Sequence, residues 1–389
     1  MKKFGLSIVL AAALALSGCA DAAEIEERGF VIALGIDKAE ENGDFGERRF
    51  LVSALLPDVA GIVNGNGDKS AVIISEGETL TTAMQSADKQ SSKTLYYGHI
   101  KAVVFGSGVL SEPEMMKEAA DALERNRTLG RRILVLATDG NAADVMASEP
   151  KTEPLVGIYI TNHYKNNSNA VNATIEQTFE RFIANLRANG NTFLPVITTV
   201  NSGETSEPQI GGACVVSNFK LAGWLDENRT RGILWIRGQG EGTILHAEIT
   251  ADEFRDSTRA AFEVTKSGGK VRFDENETGD GLVCTINITA RGSIAEYSLL
   301  DESVSGGDML QMLENKYQNI IADDVISLVD CLHGEFKTDA LLFRETLRKF
   351  NWNLYNKYAK SDYEWEKTFE NIEIELFVDV RIINTGAVK

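Results

Sequence analysis

Hydrophobic positions in this chain recur with two periods, and each period predicts a type of element. Near the C-terminal end, Ile372, Ile374, Leu376, Val378, Val380 and Ile382 alternate with Glu373, Glu375, Phe377, Asp379 and Arg381. A period of two puts each set on its own face, so this is a half-buried strand, expected to pair antiparallel. Upstream, Met309, Leu313, Tyr317, Ile320, Ile321, Val325, Leu328 and Leu332 recur every three or four positions and mark a long helix starting near Gly307. A second helix is expected over 341–358, carrying Leu347, Phe350, Leu354 and Tyr358.

In the first half the apolar runs are shorter. Residues 29–37 read as a buried strand, 49–56 as its hairpin partner across a polar loop, and 71–75 as a third strand. Helices are expected over 79–92, 112–127 and 142–147, with strands over 95–105 and 133–137. Thr174-Ile-Glu-Gln177 has the form of a capping box. It predicts a helix with the stripe Ile175, Phe179, Phe182, Ile183 and Leu186, ended by Asn189-Gly190 and followed by a strand over 193–200. Residues 201–212 are rich in Ser, Gly, Glu and Pro and read as a linker.

Beyond it, 213–216, 221–225 and 232–237 predict a meander, followed by strands at 243–250, 261–265, 270–273 and 282–289. Ser267-Gly268-Gly269 is the hairpin signal joining 261–265 to 270–273. The mixed order gives an α+β, multi-domain chain with mixed and antiparallel sheets and packed helices, without a Rossmann or TIM pattern. The expected organisation is a leader at 1–18, an N-terminal α+β region at 19–200, the linker at 201–212, and a C-terminal α+β domain at 213–389.

The leader decides the compartment. Lys2 and Lys3 precede an apolar stretch from Phe4 to Leu16, then Ser17, Gly18 and Cys19. The stretch is shorter than the roughly 20 residues that span a bilayer, so it reads as a secretory signal. Small residues before a cysteine make it a lipoprotein signal. Cleavage before Cys19 leaves that thiol as the lipid attachment point, and stable anchoring then needs two or more acyl chains. The chain is therefore expected to be exported and held at a membrane surface through Cys19.

Composition adds exclusions. Formal net charge is −18. An acidic surface repels phosphate backbones, so no nucleic-acid partner is expected. It also gains nothing from anionic lipid headgroups, leaving the acyl anchor to hold the membrane alone. Cys214, Cys284 and Cys331 show no metal-ligand spacing and are expected as buried free thiols, with a Cys214–Cys284 bridge as the alternative. His99, His163, His246 and His333 are widely spaced, and no HExxH, GxSxG or phosphate-loop motif occurs. Gly238-Gln-Gly-Glu-Gly242 precedes a strand and reads as a turn. Asp37 and the Asp323-Asp324 pair read as solvated or capping carboxylates, and the aromatics between Trp352 and Trp365 as core packing before a pocket or interface. No catalytic residue, metal site or cofactor is assigned.

Several blocks in order resemble the Ger(x)C lipoproteins, the C subunits of spore germinant receptors. They are Gly18-Cys19 with Glu24-Ile25-Glu26-Glu27, Val31 to Asp37, Tyr97-Gly-His-Ile-Lys101-Ala-Val-Val-Phe and Phe193-Leu-Pro-Val. The others are Leu221-Ala-Gly-Trp-Leu-Asp226, Thr230-Arg-Gly-Ile-Leu-Trp235 and Val380 to Gly386. The chain departs from the family pattern at Ala20, where Trp is usual, and over 335–339.

The resemblance implies a fold of several α+β domains and a non-enzymatic subunit in spore germination. It implies anchoring through Cys19 on the outer face of the inner spore membrane, alongside A-type and B-type membrane subunits. The alternative is a solute-binding lipoprotein of a transporter, which needs a cleft between two α/β lobes.

Overall fold

The computed structural model describes residues 27–40, 50–58, 70–166, 174–203, 205–249, 258–297 and 306–384. Cys19 and the leader lie outside the described residues. The first half runs β1 (Arg28–Phe30), β2 (Ala33–Lys38), β3 (Phe50–Pro57), β4 (Ser70–Gly77), α1 (Leu80–Asp88), β5 (Thr94–Tyr96) and β6 (Ala102–Phe105). It continues through α2 (Ser107–Leu110), α3 (Pro113–Arg125), β7 (Leu134–Ala137), α4 (Ala142–Met146), α5 (Val156–Asn166) and α6 (Phe179–Asn189). Then come β8 (Thr192–Ser202), β9 (Thr205–Ser217), β10 (Lys220–Leu225), α7 (Glu227–Ile236), β11 (Ile244–Ile249), β12 (Thr258–Glu275) and β13 (Leu282–Tyr297). The chain closes with α8 (Gly306–Asp330), α9 (Phe343–Phe350), α10 (Trp352–Tyr358), α11 (Asp362–Glu370) and β14 (Glu373–Asn384).

These strands make an eight-stranded mixed sheet in the order β10-β9-β8-β7-β6-β2-β3-β4, a four-stranded sheet β11-β12-β13-β14, and a ribbon of β1 with β5. β2, β6 and β7 are parallel, in register Ala33–Ala102–Leu134, while β3 and β4 return antiparallel. One face of the large sheet is buried under α1, α3 and α6 through Leu80, Met116, Leu123, Phe182 and Leu186. Part of the other face is covered by α4 and α5 through Val145, Met146 and Ile160. Both faces of the parallel strands are apolar, as helix-covered parallel strands require.

The second core brings the halves together. Phe193, Ala213 and Val215 face Ile233 and Trp235 of α7, which connect onward to the four-stranded sheet and α8. Phe262 of β12 stacks on Tyr317 of α8 with ring centroids 4.9 Å apart. α7 is thus the apolar layer between the two sheets.

The α+β class holds, and several local expectations are corrected. Residues 205–212 are not a linker but part of the strand β9 paired with β8, with Val200 opposite Glu207 and Ile197 opposite Ile210. Residues 232–237 belong mostly to the helix α7, whose Asp226 side chain accepts from the Arg229 N–H at 2.8 Å. Its short run is apolar on every side because both faces are buried, and periodicity cannot separate such a helix from a strand. Residues 261–273 are one continuous strand rather than a hairpin. A Cβ on Gly269 would lie 2.3 Å from the Ile236 carbonyl oxygen and 2.5 Å from that of Trp235, so the glycines there admit the end of α7.

The helix foreseen from Thr174 starts instead at Phe179, with Thr178 as N-cap. Thr174 donates to the Gly212 carbonyl at 3.0 Å and Gln177 to Thr192 at 3.3 Å, so both serve the sheet. Gly190 does end this helix, at φ +72°. Two strands are interrupted, 29–37 at Val31-Ile32 and 95–105 by a 3-10 turn at Tyr97–His99. The helix over 341–358 is broken at Asn351, whose side chain caps the following helix through the Leu354 N–H. β14 pairs with β13 in parallel, on the edge away from β11, because four helices, α8 to α11, carry the chain back to the end of the sheet at which β13 begins.

Candidate functional site

The carboxylates that most invite a chemical role act on the fold. Asp37 accepts from the Ala142 and Ala143 N–H groups at 2.7 and 2.9 Å, which caps α4, and burial raises its pKa. Asp324 takes both nitrogens of an Arg231 fork, at 2.9 and 2.8 Å, and Trp235 Nε1–H at 3.0 Å. Asp323-Asp324 was expected to be solvated or capping; Asp324 is instead buried and clamps α7 to α8. Asp339 accepts from the Phe343 and Arg344 N–H groups at 2.7 and 2.9 Å, and burial pushes its carboxyl up to about 6.

The histidines and thiols are dispersed. His99 packs edge-on to Phe30, with ring centroids 5.0 Å apart. His163 lies beside Tyr164, and burial lowers its pKa. His246 is exposed on β11, and His333 Nε2 meets the Phe369 carbonyl. Cys214, Cys284 and Cys331 are buried and free, so the Cys214–Cys284 bridge is not formed. The first two belong to different cores. Burial pushes Cys214 up to about 12 and Cys331 to about 11, so neither is an activated thiolate. Among the described residues no three His, Cys, Asp or Glu side chains converge on a metal position.

Three surfaces stand out among the described residues. A cleft of about 770 Å³ opens at the N-terminal ends of β6 and β7, lined by Lys101, Arg132, Lys165 and Arg181 with Glu176 and Glu180. Behind it the Arg237 guanidinium lies 5.5 Å from the Phe193 ring centroid, and burial with the nearby Arg181 charge lowers its pKa to about 10. Sequence reading missed this cluster. Its members come from separate segments, and the only local signal is a cation at or just outside the ends of four elements.

The second is a groove of about 610 Å³ between the halves, lined among others by Asn191, Phe219, Lys337 and Arg344. There Asn189 and Asn191 donate to the Asp339 carbonyl at 3.2 and 3.4 Å, and Asn191 Oδ1 accepts from the Asn218 N–H at 2.9 Å. The third is a set of exposed aromatics on the three successive helices α9 to α11, Phe350, Trp352 and Tyr363, with Trp352 stacked on Tyr355 at 5.3 Å. The aromatics expected in the core are therefore divided, for Tyr358 and Trp365 are buried while Trp352 and Tyr363 face solvent. No helix among the described residues is long and apolar enough to cross a membrane.

The arrangement has relatives over nearly its full length. Residues 21–199 match the family model for the spore germination protein N-terminal domain, and residues 211–386 that for the spore germination B3/GerAC-like C-terminal domain. The chain is 23% identical over 405 residues to spore germination protein YndF of Bacillus subtilis (strain 168), spanning 98% of this chain and 96% of that protein. It is 24% identical to spore germination protein B3 of the same organism, spanning 98% of each. The crystal structure of the GerBC protein superposes with a TM-score of 0.56 at 19% identity, covering 94% of this chain and all of that one. With both halves matched in order and the fold shared, the chain belongs to the Ger(x)C family of spore germination proteins.

Proposed function

We propose that this chain is the lipid-anchored C subunit of a nutrient germinant receptor. It is held by acylated Cys19 on the outer face of the inner spore membrane and works with A-type and B-type membrane subunits rather than by enzymatic chemistry. The observation that carries the reading is the match of the two family models in order, over 21–199 and 211–386, directly after the Gly18-Cys19 leader. Supporting it, the buried carboxylates Asp37, Asp324 and Asp339 are committed to helix caps and an ion pair. In this reading the protein acts through surfaces, and the inter-half groove and the exposed aromatics Phe350, Trp352 and Tyr363 are its places of contact with partners.

The test is co-purification from detergent-solubilised spore membranes with a tagged copy, alongside Cys19→Ala. Recovery of A- and B-type subunits with the unmutated chain, and their loss with Cys19→Ala, is expected. Recovery of a transport ATPase instead would move the assignment to a solute-binding lipoprotein.

A further inference from the structure

The large sheet is electrically polarised. Lys101 precedes β6 and Arg132 lies two residues before β7, both at the N-terminal ends of the parallel strands. Hydrogen bonds tie these ends together, Lys101 N–H to the Ile32 carbonyl at 2.7 Å and Leu134 N–H to that of Lys101 at 2.9 Å. Lys165 at the end of α5 and Arg181 in the first turn of α6 complete the cleft. Arg28 and Lys93 flank the start of the β1–β5 ribbon, which leads into the same edge. Arg28, Lys93, Lys101, Arg131, Arg132, Lys165 and Arg181 thus outnumber Glu27, Asp88, Glu176 and Glu180 on this edge, with Arg131 paired to Glu180 at 3.8 Å. The opposite edge carries Asp37, Glu76, Glu112, Asp139 and Asp144 against Lys38, which pairs with Glu112 at 2.5 Å.

The tether leaves from the basic edge. Only residues 20–26 separate Cys19 from Glu27, and an extended chain of that length reaches at most about 30 Å. Beside its exit, Phe30, Tyr96 and His99 form an edge-on aromatic cluster, with the Arg28 guanidinium 5.0 Å from the Tyr96 ring centroid. Aromatic rings among cations are the composition that settles at a membrane–water interface.

We propose that this edge is a docking surface for anionic phospholipid headgroups, with the 770 Å³ cleft receiving a headgroup phosphate. Its orientation rests on the Cys19 anchor proposed above. The anchor holds the edge near the bilayer, and the attraction of basic residues to an anionic leaflet, effective within a Debye length of about 8 Å, turns it inward. The acidic edge then points away from the lipid. Net charge alone had argued against headgroup contact; the distribution reverses that expectation. The tether carries Asp21, Glu24 and Glu26, which are the competing occupant of the cleft.

The test uses the full-length lipidated protein, purified from membranes and reconstituted in phosphatidylcholine vesicles with or without phosphatidylglycerol. Flotation with phosphatidylcholine vesicles alone reads the anchor, and its failure counts against acylated Cys19 only. Lysine acetylation followed by mass spectrometry reads the surface. Lys93, Lys101 and Lys165 are expected to be modified about fivefold more slowly when phosphatidylglycerol is present, with the difference lost at high salt. Lys316 and Lys349 serve as references. The triple variant Lys101→Glu, Arg132→Glu, Lys165→Glu should remove the effect at Lys93. Equal acetylation in both vesicle types, as the acidic tether filling the cleft would give, overturns the proposal without any variant.

Discussion

Asp339 shows how a single carboxyl is used in this fold. Two backbone N–H groups at the start of α9 favour its charge, yet full burial outweighs them and holds its pKa at about 6 against an ordinary 3.8. The folded chain therefore holds a proton that the unfolded chain has released. The stability from this group is complete below about pH 4 and is lost as pH rises through about 6. Asp339→Asn should flatten that part of the profile, and lose about 1 kcal/mol as one cap acceptor becomes a donor. Urea unfolding at pH 4.5 and 7 checks both. Little of this was legible from the residue types. Asp324 and Arg231 lie 93 positions apart, and nothing in Asp323-Asp324 says that the second carboxylate meets Arg231 and Trp235 in the interior. The basic cleft stayed hidden for the same reason, since Lys101, Arg132, Lys165 and Arg181 become neighbours only when the parallel strands align their ends.

At the scale of elements, legibility followed how many faces were buried. β14 and α8 each leave a solvent face, so alternation and the three-to-four spacing were plain. α7 is buried on several sides and lost its period; Gly268-Gly269 imitated a turn because a glycine needed for close approach looks the same as one needed for a bend. Gly269→Ala tests that reading. With backbone oxygens 2.3 and 2.5 Å from the new Cβ, neither able to swing aside, a loss of about 3 kcal/mol is expected. Gly307→Ala is the contrast. Its Cβ meets nothing within 4 Å in the first turn of α8, so the change should be neutral or stabilising by up to about 1 kcal/mol. Urea midpoints of the two variants at one pH separate the cases.

Across the whole molecule the halves are joined by α7, by β8 to β10, and by the asparagines on Asp339. The double variant Asn189→Ala, Asn191→Ala removes the side-chain donors to the Asp339 carbonyl and the acceptor of the Asn218 N–H. Each lost hydrogen bond is worth about 1 kcal/mol. The expected result in scanning calorimetry is a broader or divided transition, with the first component moved down by a few degrees; an unchanged single peak would assign the coupling to α7 and β8 to β10. β9 and β10 bear on a different matter. They follow the end of the first family match at residue 199, yet they complete the sheet that β2 to β4 and β6 to β8 begin. Exchange of gene segments between relatives at residues 200–212 would therefore divide one hairpin between two parents. Crossovers placed after Leu225 would pass the sheet on intact, and viable hybrids should collect there.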